Sequence, residues 1–379
     1  MKIRKPIKIS SNKVDVLIID EVGSEWIQHC IPEFCSIGVL PLRGVIPWIM
    51  RLNFFIKLLV KIKNKRSLAH SLLETVIDII DPKIVITFID NGSKMSFLQN
   101  VFPDKLIISV QNGFRVDKQE IFKLTKDKNY KLPVYFGFGD YDYDLMVNQE
   151  VQVKKYITAG SLKLGLFLNR CNGKILENSG ICFISQYRYG MINSADYICQ
   201  RFVELSENVY NLTKNFCMEN IYNCKVAMVS EKNMERYNKE INFFSKDFDS
   251  ISVQLIPNNK KQLKSYETAY SSEVLVAMNS TLSFEMFGCG KKVLFCDATD
   301  PVFVKKRGIA MAYAKMPKEI LLDAMTPQAF KKKMDILLEM NDEEYLKLTR
   351  EARSYLMKCE KPYPHERIKA FIEDHLKLY

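Results

Sequence analysis

Short apolar runs alternate with segments of helical period along most of the chain, the pattern of parallel β/α units. In the first half, strands are expected at 14–20, 36–40, 84–90, 106–110 and 134–138, with helices at 46–62, 68–80 and 93–101 between them. Asp81-Pro82 stops one helix, because the residue before a proline disfavours the helical region. It launches Ile84-Val85-Ile86-Thr87-Phe88-Ile89, an uninterrupted apolar run that suits a central strand covered on both faces. A second series places strands at 181–185, 225–229, 252–256, 274–277 and 292–296, and helices at 195–217, 234–244, 262–270 and 281–287. The remainder reads as helix at 326–339, 342–359 and 364–377.

The polar stretch 169–180 separates the two series and is taken as a linker. The expected organisation is an N-terminal Rossmann-like domain over 1–168 on the acceptor side, a nucleotide-sugar-binding Rossmann-like domain over 181–360, and a C-terminal helix over 361–379. Two doubly wound domains facing a central cleft, with helices at the C-terminus, describe a GT-B-like α/β fold, with ligands at the carboxyl ends of the strands. With 379 residues, 47% of them hydrophobic and 26% charged, the chain can bury two such cores.

The formal net charge of +11 calls for anionic partners or a solvated basic face. Neither zinc-finger spacing nor an RNA-recognition signature supports nucleic acid. Ten cysteines at irregular spacing, with no CxxC, favour reduced and mostly buried thiols and a cytoplasmic protein. The basic start Met1-Lys2-Ile3-Arg4-Lys5-Pro6 leads into no cleavable apolar region, so secretion is not expected. Residues 45–62 are the most apolar stretch but contain Arg51, Asn53, Lys57 and Lys61, too polar for a spanning helix. They read either as amphipathic helix packed on the sheet or as helix whose exposed part touches the inner membrane.

The strongest local signal is Val274-Leu275-Val276-Ala277-Met278-Asn279-Ser280-Thr281-Leu282-Ser283-Phe284-Glu285. A buried strand there ends in small hydroxylated residues that cap a helix, so Ser280, Thr281 and free backbone N–H groups can hold a phosphate. Glu285, about one turn on, can accept hydrogen bonds from ribose, or the turn is a plain helix cap with Glu285 facing solvent. Asp90 and Asn91 end the expected central strand, where Asp90 would be a nucleophile, a base or an orienter of the acceptor hydroxyl, or would merely close a turn. Gln111 and Asn112 at the next strand end suit sugar hydroxyls, and Arg115 suits a carboxylate or phosphate, or the segment is simply a structural turn. Gln186 and Arg188 follow the first strand of the second series, with Arg188 available to a leaving phosphate. Among the acids at 20–25, Glu21 is a candidate general acid or base, or simply favours a helix start.

Other patterns are set aside. Asp140-Tyr141-Asp142-Tyr143-Asp144 has Leu145 where a calcium loop needs glycine, and the four histidines lack ligand spacing, so no metal or other cofactor is expected. No GxxxxGK[ST], GxGxxG or GxSxG occurs.

Ile86-Thr87-Phe88-Ile89-Asp90-Asn91, Ser109-Val110-Gln111-Asn112-Gly113-Phe114-Arg115, Ala159-Gly160-Ser161-Leu162, the 181–186 run and Ser280-Thr281-Leu282-Ser283-Phe284-Glu285 together resemble bacterial surface-carbohydrate biosynthesis proteins. These are related to the retaining β-Kdo transferases of capsule and lipopolysaccharide. The resemblance implies a GT-B fold, a CMP-activated 3-deoxy-ulosonic acid donor, a glycan or glycolipid acceptor and no metal. It would make Asp90 the nucleophile and the Ser280-Thr281 turn the holder of the cytidine monophosphate. The sequence leaves open a related transferase or epimerase using a CDP-alditol or UDP-sugar, and a non-catalytic glycan-binding assembly protein.

Overall fold

The structure, a computed structural model, describes residues 13–41, 52–63, 68–90, 94–116, 131–172, 178–245 and 253–377. The chain divides into two compact units. The first takes residues 1–115, 119–166 and 360–379, and the second takes 116–118 and 167–359.

The first unit holds six parallel strands: β1 (Val16–Ile19), β2 (Ile37–Leu40), β3 (Ile84–Thr87), β4 (Leu106–Val110), β5 (Lys131–Gly137) and β6 (Gln152–Thr158). Their order in the sheet is β2-β1-β3-β4-β5-β6. Every residue of β1 to β4 is buried, as parallel strands covered on both faces require. The Leu68–Ile80 helix seals one face: Leu73, Val76, Ile77 and Ile80 pack with Leu17, Ile19, Val85 and Ile107 in one apolar cluster. The Pro364–Leu376 helix belongs to this unit, where Phe371 meets Phe136 edge to face with centroids 5.4 Å apart.

The second unit holds β7 (Ile181–Ile184), β8 (Cys224–Glu231), β9 (Val253–Asn258), β10 (Val274–Ala277) and β11 (Lys292–Phe295), in the order β11-β10-β7-β8-β9 and all parallel. From β7 the chain winds outward through β8 and β9, then returns to the other side for β10 and β11. The strand order therefore reverses between β7 and β10. At such a switch point the two strand ends diverge and leave a crevice beyond their carboxyl edges.

Both doubly wound sheets and the helical C-terminus match the expected fold class. Several elements went unpredicted, the Pro301–Arg307 helix among them. β6 is an edge strand, more than half of whose residues are charged or polar, and so carries no apolar run. The Asp140–Asn148 helix lies in the acidic repeat set aside as a failed metal loop. The Leu162–Cys171 helix covers 169–171, read as the start of the linker. Of the expected 46–62 helix, Leu52–Lys63 is described and 46–51 lie outside the described residues, as does Ser93.

Candidate functional sites at the strand ends

In the second unit, the switch point brings together the ends of β7, β10 and β11. β10 leads into Asn279 and Ser280, where the backbone turns to cap the Thr281–Gly288 helix, and Ser280 Oγ accepts from Ser283 N at 2.9 Å. Ser283 Oγ in turn donates to the carbonyls of Met278 and Ser280 at 2.9 and 2.7 Å. The cap is thereby held rigid, and the first N–H groups of the helix define a place where negative charge is favoured. Asn279 Nδ2 donates to Asp297 Oδ2 at 2.6 Å, and Tyr313 donates to the other carboxylate oxygen. Asn279 thus ties the end of β10 to the turn after β11.

The end of β7 is fixed by a residue that the sequence did not single out. Glu240, fully buried, accepts from Ser185 Oγ at 2.6 Å and from the backbone N–H groups of Val229 and Ser230 at 3.0 and 2.8 Å. Gln186 follows, buried, with its Oε1 lacking a hydrogen-bond partner among the described residues. A buried carbonyl left unpaired costs about 1–3 kcal/mol, so it marks a place where a donor is wanted. Arg188 is exposed and lies over the Phe202 ring, 5.9 Å from its centroid. Phe202 packs with Met278, which anchors Arg188 beside the end of β10.

Arg307 completes the cluster from the last turn of the Pro301–Arg307 helix. Its Nε is buried without a hydrogen-bond partner among the described residues. Burial lowers its pKa and the nearby Arg188 charge lowers it further, while Asp297 offsets part of this. Arg307 is thus within electrostatic reach of Arg188 and of Asp297, which Asn279 ties to the end of β10. In the sequence Arg307 was legible only as one of three adjacent cations, because the fold and not the spacing brings it to Arg188.

Of the remaining donor candidates, Thr281 is half-buried at the first helical position. Glu285 is buried, and its carboxylate accepts from Tyr266 Oη at 2.7 Å. It acts as a bonded core carboxylate, and the solvent-facing alternative does not hold.

In the first unit, Asp90 sits just beyond β3 with its side chain fully buried. One carboxylate oxygen accepts from Arg115 Nε at 3.1 Å and from Tyr135 Oη, the other from Arg115 Nη2 and from Asn112 N at 3.2 Å. Asn112 Oδ1 accepts from the same guanidinium at 3.0 Å. Burial opposes the Arg115 charge, but Asp90 and Tyr135 together outweigh it and raise the pKa. Burial and Asp90 both push the Tyr135 phenol well above its usual range. Asp90, Asn112 and Arg115 are therefore one network, joined by Tyr135, which the sequence concealed inside an apolar strand. Glu21 lies apart from it, exposed in the turn after β1, and Asn91 lies outside the described residues. That turn is tight: Asp20 and Gly23 both have positive φ, and a Cβ on Gly23 would come within 2.3 Å of Phe88 Cδ1.

Gln111 serves the same strand ends structurally. Its Oε1 accepts from Phe138 N at 3.1 Å, and its Nε2 donates to Asp142 Oδ1 at 2.8 Å and to Gly113 O at 3.0 Å. Asp142 also accepts from Gly139 N, capping the Asp140–Asn148 helix. Burial pushes the Asp142 pKa up to about 7, against the hydrogen bonds that lower it. Between its ordinary value of 3.8 and about 7, the folded protein keeps a proton that the unfolded chain releases. Stability should therefore fall as pH rises through that window, by at most about 1.4 kcal/mol per pH unit, and level off above it. Urea unfolding at a series of pH values should show this slope diminished in Asp142→Asn; equal slopes in variant and parent would contradict it.

Two doubly wound units whose chemistry gathers at the strand ends are the architecture of GT-B proteins. A family model described as "putative O-antigen biosynthesis protein" (Lept_O_ant_chp1) matches residues 108–372, more than half of the chain, and the chain belongs to that family. No curated protein matches the sequence. Among solved structures, MnaA of S. aureus with UDP is similar at a TM-score of 0.58 and 13% identity, covering 96% of this chain and 97% of that one. UDP-GlcNAc 2-epimerase of Neisseria meningitidis bound to UDP-GlcNAc gives 0.53 and 13%, covering 96% and 100%. The wall teichoic acid polymerase TagF, soaked with CDPG, gives 0.54 and 10%, covering 96% and 89%. At these identities the likeness is one of fold.

Proposed function

We propose that this chain is a glycosyltransferase of surface-polysaccharide synthesis that draws on a nucleotide-activated sugar, with the donor phosphate held at the β7–β10 edge of the second unit. The observation that carries this reading is the buried Nε of Arg307, unpartnered among the described residues, which lies within electrostatic reach of Arg188 and of Asp297, the residue bonded to Asn279 at the end of β10. As the glycosidic bond to phosphate breaks, charge grows on the leaving oxygen. Guanidiniums and helix N–H groups already in place stabilise that charge without reorganising, and the reaction then needs no metal ion for this purpose. Structures of similar fold with UDP, UDP-GlcNAc or CDPG support a nucleotide ligand.

For the donor we infer a CMP-linked 3-deoxy-ulosonic acid, on the resemblance of the Asp90 and Ser280-Thr281 motifs to retaining β-Kdo transferases. An Asp90 oxygen would bond to the anomeric carbon as CMP departs with the electron pair. An acceptor hydroxyl would then displace the carboxylate and lose its proton, with net retention. Attack requires that oxygen to give up Arg115 or Tyr135, so the ion pair is a latch that substrate must open. The net charge of +11 suits an anionic donor and a growing anionic glycan.

Incubation with CMP-Kdo and candidate glycan acceptors, followed by mass spectrometry, tests donor and reaction together. The expected result is an acceptor heavier by one ulosonic acid residue, with release of CMP. Turnover of UDP-GlcNAc to an epimer of unchanged mass, or alditol phosphate transfer from a CDP donor, would overturn the CMP reading and favour the rival chemistry of the structural neighbours.

A further inference from the structure

The Leu52–Lys63 helix of the first unit is turned opposite to the usual arrangement. Leu58 packs towards the apolar cluster, and Lys61 points towards the Leu68–Ile80 helix, where its ammonium bonds Glu74 at 2.6 Å and also reaches Asp78. The face turned outward is apolar. Ile56, Leu59 and Val60, spaced three and four residues apart and so on one side of the helix, are 53%, 66% and 59% exposed. Ile62 is 38% exposed, and Leu68, opening the next helix, is 58% exposed. Exposed large apolar side chains scattered singly are ordinary, but a helix that turns its lysine inward and its branched aliphatics outward offers a surface for a partner.

Charge identifies the partner. Lys61 is taken up by Glu74 and Asp78, but Lys57 lies within the helix, Lys63, Lys65 and Arg66 follow in the sequence, and there is no Asp or Glu from 34 to 73. An apolar face in so basic a stretch of sequence fits the interface of a bilayer, where aliphatic side chains enter the acyl boundary and cations meet anionic headgroups. A second copy of the chain would bring the same cations against each other. Among the described residues no helix is long and apolar enough to cross a membrane, so the contact would lie in the plane of the surface.

We propose that this helix docks the protein onto an anionic lipid bilayer through Ile56, Leu59 and Val60. The proposal is independent of the nucleotide reading, since a membrane-borne glycan could be handled with any donor. Co-sedimentation of the full chain with vesicles of phosphatidylglycerol and phosphatidylethanolamine tests it, with phosphatidylcholine vesicles as the neutral control. The expected result is partitioning to the anionic vesicles that weakens with salt and falls at least about tenfold in Leu59→Glu/Val60→Glu. Both positions are exposed, so unfolding should be unchanged, and Leu59→Phe should bind at least as well as the parent. Equal binding by the charged double variant would overturn the proposal. So would absence of vesicle binding, including a case in which the double variant instead dissociates a dimer seen by sedimentation.

Discussion

Asp90→Asn is expected to abolish transfer and also to lower the unfolding free energy by about 3–5 kcal/mol, because it strands the buried Arg115 guanidinium without its counter-charge. The two effects are separable. Asp90→Asn/Arg115→Met removes both charges and should recover most of the stability, since a buried pair and an apolar replacement are close in energy. That double variant should still fail to transfer sugar. Urea unfolding reads the first effect and product mass spectrometry the second. Transfer restored along with stability would mean that Asp90 only holds the strand ends together.

Arg307→Met is expected to weaken nucleotide binding by about 10- to 100-fold, the loss of one charge-assisted contact of about 1.5–3 kcal/mol. The methionine keeps the apolar stem. Removing a charge that burial and Arg188 already disfavour should leave stability unchanged or raised. A purely structural Arg307 would give the opposite pair of results. Arg188→Ala, at an exposed site, should cost less than Arg307→Met by the same calorimetric titration.

The strands were legible because parallel sheets covered on both faces demand runs such as 84–89 and 274–277, and the turn after β10 because Ser280 caps in the way its position implies. β6 was not, since an edge strand has no such demand. The members of each site that lie far apart in sequence were hidden for a different reason. Tyr135 reads as one more aromatic in an apolar strand until β5 sets its hydroxyl against Asp90. Glu240 reads as a helix-surface acid until β7 and β8 present donors to it. Asp142 looked like a metal-loop residue because its spacing was visible and its burial was not. Strand order, which only the three-dimensional structure reveals, makes these residues neighbours.

The central claim is that a nucleotide binds at the β7–β10 switch point, and hydrogen–deuterium exchange of the full chain with and without saturating CMP tests it most directly. The account predicts new protection at 185–188, 278–283 and 297–307 together. Protection that avoids all three segments while CMP is bound would contradict it.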